Sequence, residues 1–485
     1  MGGHGKPRKT VIQLNDIKET TVASASSFDA LDKAPLNAFH RRVTFLSGMG
    51  VFLEGYDFTN IASALIFLVP YFHLQPGQVA LLATSTYVGT IIGAVSIGYL
   101  ADRLGRKFMY MADITLYALF ALLSAVAINY PMLVIARIGL GFAIGADQAL
   151  SFTIIAEFAP RSLRGKLNAS TWIMWTLASA FTYLLSYGLN PILHQETWRV
   201  LFGLALIPSV IVFIGRRDIP ESPRWLVRQG RIDEAREAMN AVVPGSGATL
   251  QIDPNHVPSA KRRPVNLAAL FRSKRQTYGT LYIFFMWFCV TFNTYGVGYF
   301  TPYILKTLGF TSNLSLMGGA VVSLFALTGA IIMFSSVERV GRKFLATIGF
   351  GMLALIDFGL YLASDSHIFS VLLVLFSLFQ LVVWIGPAGL VGVVAPEVFP
   401  TDIRSFGTGL AAALGRLGAI TGIVLFPLMM KAGGLKFAML IFCLDAVIAT
   451  AAMLIFGYET KGQSLELESP AFARHESVAS KSVSG

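Results

Sequence analysis

The chain has 485 residues, 54% of them hydrophobic and only 13% charged, with 38 Lys and Arg against 27 Asp and Glu for a net charge of +11. Soluble domains carry about 25% charged residues, and a soluble chain of this length would divide into several cores. Together with a mean hydropathy of +0.63, this excludes an ordinary soluble protein and indicates an integral membrane protein. The two cysteines, Cys289 and Cys443, lie in apolar runs without CxxC or metal-ligand spacing, and the histidines are scattered. No disulfide framework, metal site or cofactor is expected.

A bilayer crossing needs about 20 apolar residues, and the chain offers twelve such runs. Residues 1–40 of the N-terminal tail 1–41 are polar, and no cleavable leader is expected. The first span, 43–70, holds Glu54 and Asp57 near its middle, where a charge costs about 2.5–3.5 kcal/mol on insertion scales. Three residues apart, they share a helix face. Span 79–100 runs into "YLADRLGRK", which carries Asp102 and Arg106. Span 108–128 has Asp113 close to one end, where it is expected to reach the membrane interface. Span 131–157 contains Arg137, Gly141, Gly145, Asp147 and Gln148. Its glycines lack GxGxxG spacing and follow no strand, so Gly141 and Gly145 read as a small-xxx-small packing face. "EFAPRSLRG" follows with Glu157 and Arg164, then span 167–189 with Trp172 and Trp175, and span 198–215.

The segment 217–276 is basic and reads as a linker, with "RIDEAREAMNAV" as a short amphipathic helix after Gly230. The seventh span, 277–305, contains Asn293, Tyr295 and Tyr299, with Gly296 and Pro302 as softening points. Span 315–336 leads into "SSVERVGRK", with Glu338 and Arg342. Span 344–364 holds Asp357, and span 368–395 holds Gln380, Trp384, Gly386 and Pro387. "EVFPTDIRS" brings Glu397 and Arg404. Span 405–430 contains Arg416, and span 436–457 contains Asp445, followed by the tail 459–485.

Lys and Arg crowd one set of loops: Arg103, Arg106, Lys107, Arg161, Arg164, Lys166, Arg339, Arg342, Lys343, Arg404 and the segment 216–275. The opposite set has Arg199, Lys306, Lys431 and Lys436. The rich side is expected to be cytoplasmic and to include both termini, so the basic excess is a topological signal and no nucleic-acid partner is expected. The two halves also repeat. "YLADRLGRK" matches "SSVERVGRK", "EFAPRSLRG" matches "EVFPTDIRS", and "PESPRWL" (220–226) is echoed by "YETKGQSLE" (458–466), setting Glu221 against Glu459. Parallel repeats of this kind build two rocking halves around a central site.

These motifs, with Arg137-x-x-x-Gly141-x-x-x-Gly145, make the chain resemble the major facilitator superfamily over about residues 42–466. "PESPRWL" and "YETKGQSLE" resemble its sugar-porter signatures. "PEVFPTDIRSFGTG" and the "GYD" of the first span resemble its metabolite:proton symporters. Two family features are missing: the seventh span lacks the Gln-Gln pair of sugar porters, and "GADQALS" stands where phosphate symporters have a different motif. The resemblance implies an all-α membrane protein, not an enzyme, with twelve transmembrane helices in two pseudo-symmetric six-helix bundles at 42–216 and 277–458. It also implies that helices one, four, seven and ten line a central cavity.

On that frame Asp57, Asp147 and Glu54 are candidates to carry a proton, with Arg137 setting the affinity of one of them. Buried carboxylates with few cations near them favour proton handling. Arg416 is the candidate for an anionic solute, since a buried guanidinium suits carboxylate or phosphate. Asn293, Tyr295, Tyr299, Gln380, Trp384, Trp172 and Gln148 are the other candidate solute contacts. Asp102, Arg106, Glu157 and Arg164, with Glu338, Arg342, Glu397 and Arg404, are candidates for charge pairs that gate the basic mouth. Asp357 and Asp445, on peripheral helices, read as structural. The expectation is a monomeric, multi-pass plasma-membrane symporter importing a small organic acid or related metabolite anion with a proton. A sugar, polyol or phosphate is the alternative solute, and a non-transporting membrane receptor is the alternative of another class.

Overall fold

The computed structural model describes residues 28–160, 163–250, 270–366, 368–399 and 404–460. Of the residues singled out above, Arg161 and the side chains of Asp102, Gln148, Arg164, Lys166, Glu338 and Arg404 lie outside the described set.

The first half contains α1 (Ala38–Tyr71), α2 (Pro76–Leu104), α3 (Arg106–Ala125), α4 (Tyr130–Phe158), α5 (Arg164–Leu193) and α6, in two pieces, Thr197–Leu204 and Leu206–Arg216. In the second half α7 comprises Lys274–Asn293, a π turn at Thr294–Gly298 and Thr301–Thr307. It continues with α8 (Ser312–Val340), α9 (Arg342–Ala363) and α10, broken into Phe369–Ile385 and Pro387–Val398. A continuous helical run, Arg404–Phe456, turns back through Gly433 and Gly434 and so supplies α11 and α12. Among the described residues nine segments are long and apolar enough to cross a membrane. Two of these contain a reversal and α2 adds another, which gives the twelve passes expected.

The breaks have local causes. Pro387 has no N–H to continue the ladder, and α10 stops at Gly386 before restarting. Helix α1 begins behind a capping box: the Asn37 side chain accepts the His40 N–H at 3.0 Å, while His40 Nδ1 accepts the Asn37 N–H at 3.2 Å. Almost the whole central stretch of α1 is buried, because it packs against α4, α5 and α6 at once.

Close helix contacts repeat between the halves. Gly141 and Gly145 of α4 lie against the backbone carbonyls of Thr86 and Thr90 on α2, so the sequence reading of a small-residue packing face holds. Gly418 and Gly422 of α11 meet the carbonyls of Phe288 and Phe292 on α7, as Gly55 of α1 meets that of Trp175 on α5. The halves touch each other mainly through α5 against α8 and α2 against α11.

At the basic end, two turns are built alike. Gly105 has φ 102° and ψ 153°, and Gly341 has φ 104° and ψ 154°, a backbone region that favours glycine. Each turn opens a helix whose first N–H groups are held by a distant glutamate. Glu221 accepts from Arg106 and Lys107 at 3.0 Å each, and Glu459 accepts from Arg342 and Lys343 at 2.9 and 3.1 Å. A carboxylate at a helix N-terminus satisfies orphan donors and complements the dipole. The sequence pairing of Glu221 with Glu459 therefore corresponds to one structural role used twice. In the linker, the expected amphipathic helix is Ile232–Val242, burying Ala235, Ala238, Met239 and Val242 in a small core shared with Leu46, Tyr110 and Phe158.

Candidate functional site

A cavity of about 40 Å³ lies between the halves, room for a few waters. Its walls are Phe58 and Thr59 of α1, Trp175, Ser179 and Tyr183 of α5, Thr294, Tyr295, Gly298 and Tyr299 of α7, Ser323 of α8, and Gln380 and Trp384 of α10, among others. This corrects one expectation: α4 gives the cavity no described residue, and α5 and α8 do instead. The reason is the glycine face, which draws α4 onto α2, while α5 and α8 meet face to face across the halves. There Ser179 and Ser323 hydrogen-bond at 3.2 Å and Thr59 donates to Ser179 at 2.9 Å. Farther along the same seam Asn190 donates to Asn313. These bonds tie α5 to α8 beside the cavity.

Aromatic rings make up much of the wall. Trp384 lies 5.3 Å from Trp175 and 6.4 Å from Trp172, centroid to centroid. Tyr87 stacks on Phe58 at 4.4 Å and meets Tyr295 edge-on at 5.2 Å. Of the predicted solute contacts, Tyr295, Tyr299, Gln380 and Trp384 line the cavity, and Trp172 stands behind Trp384. Asn293 does not. Its amide donates to Asp357 at 3.0 Å and to the Phe442 carbonyl at 3.1 Å, on the side of α7 turned towards α9 and α12.

Arg416 stands across the seam between halves, its Nε donating to Thr90 of α2 at 3.2 Å. Glu54 is buried and is an electrostatic neighbour of both Tyr87 and Tyr295, as Arg416 is of Tyr295. Glu54 and Arg416 thus act on the same end of the aromatic wall.

Asp57 and Arg137 form a bidentate pair, 2.6 Å for Nη1 to Oδ1 and 2.5 Å for Nη2 to Oδ2. Both side chains are essentially inaccessible, and the guanidinium lies 5.0 Å over the Phe202 ring. Tyr299, on the cavity wall, is an electrostatic neighbour of both members. The two-pronged geometry is the strong form of a charge-assisted contact, and in a dry site it is strong only while both partners are charged.

Asp147 belongs to a different cluster, which sequence reasoning missed. It pairs with Arg216 at 2.6 Å, and Arg216 also reaches Asp113 at 3.2 Å and the Tyr110 carbonyl at 3.1 Å. The guanidinium lies 3.5 Å from the Tyr110 ring centre. The sequence pattern groups Arg216 with the basic loop residues and places Asp113 at the interface; instead both are fully buried. The idea of acids with few cations nearby is corrected too, since Asp57 and Asp147 each hold an arginine.

Two pairs of the expected gating residues, those whose side chains are described, meet within halves. Arg106 approaches Glu157 at 3.3 Å, joining α3 to α4. Arg342 pairs with Glu397 at 2.9 Å, joining α9 to α10, and Glu397 also accepts from Thr460 at 2.6 Å. Neither described pair crosses the seam between halves. Among the described residues no group of His, Cys, Asp and Glu could hold a metal ion.

Comparison with known proteins follows the same lines. The family described as "Sugar (and other) transporter" matches residues 43–472. The niacin transporter NiaP of Acinetobacter baylyi is 29% identical over 90% of this chain and 98% of its own. The arabinose-proton symporter of Bacillus subtilis is 29% identical over 87% of this chain and 93% of its own. Among solved structures, the partially occluded inward-open form of the E. coli xylose transporter XylE superposes with a TM-score of 0.74 at 23% identity, covering 88% of this chain and 100% of that one. That likeness bears on the fold alone.

Proposed function

From the premise that the chain belongs to the sugar (and other) transporter family, and so is a multi-pass membrane carrier and not an enzyme, we propose that it is a proton-coupled symporter of a small organic anion. It works by alternating access in the cell membrane with both termini on the cytoplasmic side. The observation that carries the proton reading is the Asp57–Arg137 pair, buried beside a tyrosine of the cavity wall. Protonating Asp57 removes one member of a desolvated pair and leaves Arg137 charged and poorly compensated. The free energy of that change is available to favour a different arrangement of α1, α4 and α7. Releasing the proton on the other side of the membrane restores the pair and resets the carrier.

The solute reading rests on the wall. Trp175, Trp384, Tyr295 and Tyr299 offer flat faces suited to a planar ring, and the Arg416 guanidinium, held through Thr90, brings a cation to the Tyr295 end for a carboxylate. The niacin transporter, as its name states, serves a solute of that chemistry. A pentose or hexose is the second reading. Gln380 and the hydroxyls of Thr59, Ser179, Thr294 and Ser323 favour it, as does the arabinose-proton symporter among the relatives.

The test is uptake and current in proteoliposomes under an inward proton gradient, presenting nicotinate, benzoate, a short-chain organic acid, phosphate, xylose and glucose. The expected result is a carboxylate-dependent current lost in Arg416→Gln, and gradient-driven accumulation lost in Asp57→Asn. A sugar current unaffected by Arg416→Gln would overturn the anion reading in favour of the second. Saturable uptake of no compound with any gradient would instead support a receptor.

A further inference from the structure

The second half contains a cluster of polar groups that the transport site does not use. Asp357 of α9 is fully buried, Asp445 of α12 is largely covered, and Asn293 of α7 lies between them. Asn293 Nδ2 donates to Asp357 Oδ2 at 3.0 Å, and Asp445 is an electrostatic neighbour of Asn293 and of the Cys289 thiol. The two carboxyl groups act on each other electrostatically. Cys443 sits beside Asp357 and donates to the Ala354 carbonyl at 3.3 Å. The titratable groups facing the cluster are therefore two carboxyls and two thiols, and no described Lys, Arg or His is among them.

The hydrogen-bond accounting is one-sided. Asp357 Oδ1, Asp445 Oδ2 and Asn293 Oδ1 are all buried acceptors without a donor partner among the described residues. The Asn293 amide has already committed its NH2 to acceptors, so its oxygen can be satisfied only by a donor from outside that set. Two adjacent carboxylates in hydrocarbon, without a cation, would each bear a large desolvation cost and would repel each other. A proton on the pair removes one charge and supplies the missing O–H donor.

We propose that Asp357 and Asp445, with Asn293, form a second proton-holding site in the C-terminal half, separate from Asp57 and Arg137. It lies one residue before the π turn Thr294–Gly298, whose other side lines the cavity. A bound proton there sits directly behind the wall that contacts the solute. The cluster has the same chemistry whichever solute is carried.

The experiment is infrared difference spectroscopy of the full chain in lipid nanodiscs, stepped from acid to alkaline pH in H2O and D2O. The expected result is a carboxylic-acid C=O band at neutral pH that shifts in D2O, persists in Asp57→Asn, weakens in Asp357→Asn and in Asp445→Asn, and loses that component in the double variant. Replacing sodium with choline should leave the band unchanged. A double variant whose spectrum overlays the wild type overturns the proposal, as does a band that sodium abolishes, which would make the cluster a cation site. Should the variants fail to fold, Cys443→Ala protein gives an independent readout. Its remaining S–H stretch, from Cys289, is expected to move at the same pH step as the C=O band, and a stretch that stays flat across that step is equally contrary.

Discussion

Arg137 is the residue on which the protein's charge arrangement is most exposed to loss. Removing one partner of a buried ion pair costs about 3–5 kcal/mol, because the other is left charged and dry, whereas replacing both by packed neutral groups is often tolerated. Arg137→Met is therefore expected to lower the thermal midpoint of the purified protein sharply, and the double variant Asp57→Asn/Arg137→Met to recover most of the loss. Calorimetry or dye-based melting in one detergent compares wild type, Asp57→Asn, Arg137→Met and the double variant. Equal, additive losses in the double variant would mean that the two side chains are not energetically coupled and that the pair is not the switch. The same residues mark what could be read from the sequence. Asp57, Glu54 and Arg137 announce themselves because charges inside apolar runs are rare. Arg216 does not, since a basic residue at the end of an apolar run looks like a topological signal. Its burial was nonetheless legible from spacing: Ser209, Val212 and Arg216 fall on one helix face and all three are buried. Asp113 shares the buried face of Tyr110, Ile114 and Tyr117 in the same way.

At the scale of elements, the helix count, the repeat and the glycine contacts followed from hydropathy and motif spacing, because these depend on periodicity alone. The cavity wall did not. Asn293 and Tyr295 are two residues apart and so differ by about 200° around a helix; they could not both face the cavity, and the π turn that begins at Thr294 has no sequence marker that composition supplies. Glycine contacts lead to a paired prediction. A Cβ at Gly145 would strike the backbone carbonyl of Thr90, whereas a Cβ at Gly188 of α5 meets nothing within 4 Å. Gly145→Ala is expected to destabilise by about 1–3 kcal/mol through forced separation of α4 from α2. Gly188→Ala is expected to be neutral or to stabilise by up to about 1 kcal/mol, through the lower helix cost of alanine. Thermal melts of the two single variants decide it, and a neutral Gly145→Ala would mean that α2 and α4 can part without loss.

For the whole molecule, the decisive question is whether the two halves move as bodies. The described charge pairs Arg106–Glu157 and Arg342–Glu397 tie helices within each half, which stiffens the halves without joining them. Where α5 meets α8 beside the cavity, the described side-chain hydrogen bonds that join them are neutral and short-range: Ser179 to Ser323, and Asn190 to Asn313 at the exposed end of the same seam. Neutral hydrogen bonds of this kind contribute about 0.5–1.5 kcal/mol each, small enough to be exchanged in every cycle. A carrier that alternates access must separate α5 from α8 there. Replacing the native cysteines by alanine and introducing Asn190→Cys/Asn313→Cys should therefore allow an oxidant to lock the seam, since the two side chains already touch. Uptake in proteoliposomes is expected to fall to the level of empty vesicles on oxidation and to return on reduction, with each single-cysteine variant unaffected. Full cross-linking with undiminished uptake would mean that the solute passes while α5 and α8 stay together, and the two-body mechanism would have to give way to movement of α7 and α10 alone, at the π turn and the Gly386–Pro387 break.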